Sequence, residues 1–470
     1  MPPNIVCITV DDMGWRDLGC YGSPFYETPN IDAVARRGTR FTDAYASAPV
    51  CSPTRASLQS GQYPARVGIT NFIAGRGEGK LLEPEYVESL PRDTTTIADV
   101  LSAVGYTTWH VGKWHLGGEE DGALPTERGY DENIAGSGWG HPRNGFFSPY
   151  EMPNLSDGPD GEYLTDRLTD EAIKLVEDHD SEEPFFLNMS YYAVHTPIQA
   201  KDETVMKYEC KRESLGLDGE KEFEVGEAFP FKHKKDSRVL RRLVQSDPTY
   251  AAMVQHLDTN VGRLLDALEM AGVENNTAVI LTSDNGGLAT SEGSPTCNSP
   301  LSEGKGWMFE GGNRVPLIID WPRVTEPDDM CDTPVITPDI YSTILDIAGA
   351  EPPADQPVDG ESLRSLLGGD TLDRKAIFWH YPHYGHQGGT PAGAIRTGRW
   401  KLIEFYEDER VVLFDLENDV REARDLSEYQ DERVQRLRKQ LAVWREDVDA
   451  DMPESNPNFE PWEGRLGAGH

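Results

Sequence analysis

The sequence is short of positive charge. Its 470 residues carry 44 lysines and arginines against 81 aspartates and glutamates, a formal net charge of −37. Such a chain repels phosphate backbones and anionic headgroups, which excludes nucleic acid and a membrane surface as expected partners. The acids are spread along the chain, the pattern of a solvated shell suited to concentrated salt, where screening removes self-repulsion. Cysteine is sparse as well. The six (Cys7, Cys20, Cys51, Cys210, Cys297 and Cys331) are scattered without zinc-like CxxC spacing and read as reduced thiols. No apolar run is long enough to cross a bilayer. The opening MPPNIVCITVDD enters a strand-like run at once, without the parts of an export signal, so a cytoplasmic location is expected. Internal repeats and low-complexity tracts are missing too.

What is present reads as a folded α/β protein. Hydrophobic residues make up 37% and charged residues 27%, enough for a large core and, by length, roughly two or three domains. Short apolar runs (NIVCITV, PFFLNMSYY, TAVILTSDNG, VPLIIDWP) alternate with helix-like stretches such as RLTDEAIKLVEDH and MVQHLDTNVGRLLDALEMAG. That alternation predicts a mostly parallel sheet flanked by helices. Residues 200–245 are polar and locally basic, an insertion that reads as a surface excursion or a lid. After DGESLRSLLGGD (359–370) the pattern changes to antiparallel-like strands and a closing amphipathic helix, DERVQRLRKQLAVWRED. A boundary near residue 370 therefore divides a catalytic domain, 1–370, from a C-terminal subdomain, 371–470.

In open α/β sheets, ligands gather beyond the carboxyl ends of the strands. Two apolar runs end there alike, one in Asp11-Asp12, the other in Asp284-Asn285 followed by two glycines. One such pair alone is usually a turn or cap. Two pairs on long strands suggest three carboxylates and an amide converging on a cation, and oxygen-only donors favour Ca2+ or Mg2+ over zinc. Cys51 fits that site badly, because a thiolate is a soft ligand. Its position nonetheless suits catalysis: Ser52 is expected as N-cap, Pro53 at the first helical position, and Gly61 at the helix end. Arg55, in the first turn, is unfavourable on dipole grounds and so is expected to pair with a specific partner.

At these residues the sequence resembles the type I sulfatases of the alkaline-phosphatase-like superfamily. CSPTR (51–55) matches their C-x-P-x-R. VDDMGW, VGKWHLG (111–117), HTP (195–197), SDNGG (283–287), GK (304–305) and EGGNRVP (310–316) follow in family order over nearly the whole chain. The resemblance implies an alkaline-phosphatase-like fold and a maturation enzyme that oxidises Cys51 to formylglycine, replacing sulfur by oxygen and removing the conflict with a hard cation. It implies that Asp11, Asp12, Asp284, Asn285 and the modified residue 51 hold a divalent cation, usually Ca2+, with Mg2+ or Mn2+ as alternatives. A hydroxyl of the hydrated aldehyde would attack sulfur, with Arg55 holding that residue. Lys113 and Lys305 would grip the sulfate, His195 would protonate the leaving alcohol, and His115 would take the second hydroxyl's proton to expel the covalent sulfate. The implied substrate is a small sugar or aryl sulfate ester. Two alternatives are a phosphonate monoester or phosphodiester hydrolase, and a metal-stabilised glycan-binding pseudoenzyme with an unmodified cysteine. His380, His383 and His386 recur every third residue but read as packing or mouth residues and stay outside the expected site.

Overall fold

In the computed structural model, which describes residues 2–179 and 182–462, the four strands Thr277–Ser283, Asn4–Val10, Phe185–Ser190 and Thr107–Gly112 lie side by side and parallel. Every residue of Asn4–Val10, Phe185–Ser190 and Thr277–Ser283 is buried, which is why these runs are continuously apolar instead of alternating. Glu132–Ile134 extends the sheet on one side. On the other, Arg314–Asp320 runs antiparallel between Thr277–Ser283 and Thr39–Tyr45, and the short strands Asp329–Cys331 and Val335–Ile336 complete nine. The sheet is therefore mixed, mostly parallel with one reversed strand.

Strand periodicity sorts the side chains onto two cores. Val6, Ile8 and Val10 face one core, which helices Pro29–Arg37, Leu164–Glu177 and Pro248–Met270 cover. Ile5 and Cys7 face the other, covered by Cys51–Ser60, Ile97–Ala103 and Thr337–Ala348. Burial pushes the Cys7 thiol up to about 12, so it serves as a small inert hydrophobe.

The 200–245 segment is no loose excursion. Its helix Asp202–Ser214 packs on Pro248–Met270 and buries Tyr208. A hairpin follows, Phe223–Ala228 with Arg238–Arg242. Between its strands, Phe229 and Phe231 enter a small core with Leu81, Trp307 and Tyr384.

From Ile377 the chain forms an antiparallel four-stranded sheet, Ile377–Tyr381, Ala392–Thr397, Trp400–Phe405 and Val411–Asp415. Helix Asp431–Asp447 packs Leu437, Leu441 and Trp444 onto it. That core also takes in Tyr45, Val50, Tyr63 and Met308, so the C-terminal region shares its interior with the rest of the chain. Among the described residues no helix is long and apolar enough to cross a membrane.

Candidate active site

Helix Cys51–Ser60 is buried along its whole length. Cys51 is its first helical residue and Val50, in extended conformation, is the N-cap. This corrects the expected cap at Ser52. The Ser52 hydroxyl instead accepts from the Ile73 N–H at 3.2 Å. Pro53 then falls at the third helical position, still among the first four, where its missing N–H leaves no bond unmade. Gly61 closes the helix as expected, at φ 71°, its N–H 2.8 Å from the Ser57 carbonyl. Burial raises the Cys51 thiol, against the pull of Lys113 and Lys305. A thiol held protonated is a poor nucleophile.

The four parallel strands deliver the rest of the site from their carboxyl ends. Asn4–Val10 leads into Asp11 and Asp12, Thr277–Ser283 into Asp284 and Asn285, Thr107–Gly112 into Lys113 and His115, and Phe185–Ser190 into His195. The cations sit on the carboxylates. Lys113 Nζ lies 2.9 and 2.8 Å from the two Asp11 oxygens, and Lys305 Nζ 2.7 and 2.8 Å from those of Asp12. Arg55 donates through Nε to Asp284 Oδ2 at 2.8 Å, and through Nη1 to the Lys113 carbonyl and to Ser190 Oγ. This is the specific partnership expected of a first-turn arginine. Three carboxylates thus face three cations, all buried.

Burial drives Asp11 well up, with Asp284 and Asp12 adding to it and Lys113 and Arg55 opposing. Burial would raise Asp12 and Asp284 too, but Lys305 and His195 outweigh it at Asp12, and Arg55 and Lys113 at Asp284, so both stay below the usual range. The donor set fits a divalent cation. Asn285 donates through Nδ2 to Asp12 Oδ1 at 2.8 Å, while its Oδ1 is buried without a hydrogen-bond partner. A buried amide oxygen beside three carboxylates is a hard-cation environment. Asp11, Asp12 and His195 also bring one ligand atom each within 4.8 Å of one another, a nitrogen not expected among the ligands.

The two histidines differ in what they face. His115 has φ 60°, so it leaves the strand in a left-handed turn instead of extending it, yet Nδ1 lies 3.3 Å from Cys51 Sγ. Burial, helped by Lys113 and Arg55, holds its ring well below the usual pKa. His195 Nδ1 lies 2.9 Å from the Thr196 carbonyl and donates to it, leaving Nε2 to face Lys305 Nζ at 3.0 Å and Asp12 Oδ2 at 3.6 Å. Burial and Lys305 push His195 down to about 3.

Residues 3–350 match the family model described as Sulfatase, and residues 304–449 that of N-sulphoglucosamine sulphohydrolase, C-terminal. The chain belongs to the sulfatase family. It hydrolyses a sulfuric ester. This sulfatase is 32% identical to a sulfatase of Formosa agariphila over 90% of its own length and 84% of that protein's. It is 31% identical to the N-acetylgalactosamine-6-sulfatase of Mus musculus over 85% of this chain and 71% of the mouse protein. Among solved structures it resembles Ps i-CgsB, with TM-score 0.76 and 29% identity over 98% of this chain and 95% of that one. Ps i-CgsB has also been solved with k-i-k-neocarrahexaose. Sulfatases as a family use a metal ion and a formylglycine.

Every residue expected in this sulfatase's site lies in one cluster, though Lys113 and Lys305 rest on carboxylates instead of lining an open sulfate pocket. His380, His383 and His386 do not converge. Their bonds go to Tyr406 and the Asp451 carbonyl, to Thr70, and to the Arg76 carbonyl. Sequence reading missed the wall formed by residues 137–145. The Ser137 carbonyl accepts the His115 N–H at 3.0 Å. Gly140 lies against the His115 ring, where an added Cβ would come within 2.6 Å. The His141 ring lies parallel to that of His195, centroids 6.0 Å apart. The run SGWGHPRNG, with glycines spacing an aromatic, a histidine and an arginine between two elements, was the available signal.

Proposed function

We propose that this sulfatase removes sulfate from a sugar, working through a formylglycine made from Cys51 by a separate maturation enzyme. The observation that carries the reading is the position of Cys51, 3.3 Å from a neutral histidine at the point where four parallel strand ends bring three carboxylates and three cations together. Asp11, Asp12, Asp284 and Asn285 would hold a divalent cation, for which the oxygen donors favour Ca2+. When bound, the cation and the hydrated aldehyde supply positive charge and an oxygen nucleophile.

The other roles fall to the side chains gathered around residue 51. Arg55, with bonds to Asp284, the Lys113 carbonyl and Ser190, ties the helix that carries residue 51 to three strand ends, a fixed attack geometry. Lys113 and Lys305 bring charge to the sulfate oxygens, where it stabilises the sulfuryl group in transfer. His195 would give the leaving oxygen its proton once Nε2, which here accepts from Lys305 Nζ at 3.0 Å, is itself protonated. His115, held neutral, accepts a proton at residue 51 through Nδ1. A sugar substrate is favoured by the relatives: the mouse protein is named an N-acetylgalactosamine-6-sulfatase, and Ps i-CgsB has been solved in complex with k-i-k-neocarrahexaose.

Enzyme produced with a maturation enzyme and supplied with Ca2+ is expected to release sulfate from N-acetylgalactosamine 6-sulfate and 4-nitrophenyl sulfate. Cys51→Ala should abolish both activities with the melting temperature retained. Faster turnover of phenyl phosphonate or a phosphodiester than of either sulfate would refute the reading.

A further inference from the structure

The loop HYGHQGG (383–389) of the C-terminal sheet closes on the catalytic loop. At Gly385 and Gly389 an added Cβ would come within 2.1 and 1.9 Å of the Gly306 carbonyl oxygen, so only glycine allows the approach. Gly306 follows Lys305, and its N–H donates to the Pro49 carbonyl at 2.8 Å, two residues before Cys51. The same loop buries Gln387. Its carbonyl accepts from Thr290 Oγ1 at 2.9 Å and Trp307 Nε1 at 3.1 Å, and its Nε2 donates to Glu292 Oε1 at 3.1 Å.

Glu292 stands at the mouth of the site. It is exposed, at φ 54°, and its hydrogen bond from Gln387, whose side chain lies against Gly306, places it beside the loop that carries Lys305. Among the described residues it nonetheless forms no ion pair. Lys234 bonds instead to the neighbouring Ser291 Oγ and to the His386 carbonyl. A carboxylate at the entrance of a site for anions repels its substrate unless it receives hydrogen bonds from it. Hydroxyl groups give such bonds, and the charge on the acceptor strengthens them. An aryl sulfate has no hydroxyls to offer.

We propose that Glu292, held in place by Gln387, reads hydroxyl groups of the sugar ring that carries the sulfate and sets the preference of this enzyme for sugar over aryl sulfates. This rests on the sugar sulfatase reading above. The test compares kcat/KM for N-acetylgalactosamine 6-sulfate and galactose 6-sulfate with that for 4-nitrophenyl sulfate, using matured, Ca2+-loaded enzyme. In Glu292→Ala the ratio of sugar to aryl kcat/KM is expected to fall about 10- to 100-fold, the loss of one or more charge-assisted bonds, with KM carrying most of it. Gln387→Ala should move the ratio the same way by less. Thermal melting checks that both variants fold. An unchanged ratio in Glu292→Ala, or a wild-type enzyme that cleaves only the aryl sulfate, overturns the proposal. A wild type inert towards all three sulfates overturns the sulfatase chemistry of the site, and this proposal with it.

Discussion

At residue 51 the structure brings a buried thiol and a neutral imidazole together and surrounds them with charge. Burial makes the thiol a poor nucleophile and keeps His115 unprotonated, with its Nδ1 3.3 Å from Cys51 Sγ. The pair therefore makes sense if the atom at position 51 is an oxygen that must lose a proton in the second half of the reaction. His115→Ala should accordingly release the first equivalent of alcohol in a burst and then stall, with steady-state turnover down about 10²- to 10⁴-fold. Normal steady-state turnover would remove His115 from that step. Conformational strain gathers here too: Asp12 and His115 both hold positive φ without being glycine.

Among the elements, the parallel strands do the most for the site, and they were the most legible part of the sequence. Continuous apolar runs ending in Asp11-Asp12 and Asp284-Asn285 announce strands buried on both faces, with ligands at their tips. His110 shows what such burial demands. It sits inside Thr107–Gly112 with its ring fully enclosed, Nε2 donating to the Gly112 carbonyl and Nδ1 accepting from Asn188. Burial pushes it down to about 3. The folded state therefore resists protonation that the unfolded chain takes up near pH 6.5. The stability of this arrangement is fully present above pH 6.5 and is lost as pH falls towards 3. Each unit of that fall costs up to about 1.4 kcal/mol. Urea midpoints measured from pH 7 to 5 should fall less steeply for His110→Gln than for wild type, and equal slopes would count against the argument. Less legible was whatever depends on contacts distant in sequence. The Ser52 hydroxyl is taken by a bond from Ile73 instead of capping the helix, and the core under 200–245 joins Phe231 to Leu81 and Tyr384. The mouth pairs Gln387 with Glu292. None of these leaves a periodic trace, whereas strand and helix faces do.

Across the whole molecule, the C-terminal sheet is joined to the catalytic part by buried charge as well as by apolar packing. Lys401, fully buried, lies 2.8 Å from Glu310 and 3.0 Å from Glu422, and Asp43 pairs with both Arg314 and Arg396. Removing one member strands its partners. Lys401→Met is expected to cost about 3–5 kcal/mol in chemical denaturation, and a loss below about 1 kcal/mol would mean the network is a weak link. The net charge of −37 acts on the same scale. Raising KCl from about 0.1 M to about 1 M shortens the Debye length from about 10 Å to about 3 Å, so the melting temperature should rise; a flat or falling response would show that self-repulsion is unimportant. The central claim, that residue 51 works as an aldehyde hydrate, is tested most directly by mass spectrometry of the peptide containing it, from active enzyme made in its native host. The account predicts the mass of formylglycine at that position. A peptide carrying an unmodified cysteine in fully active enzyme would contradict it.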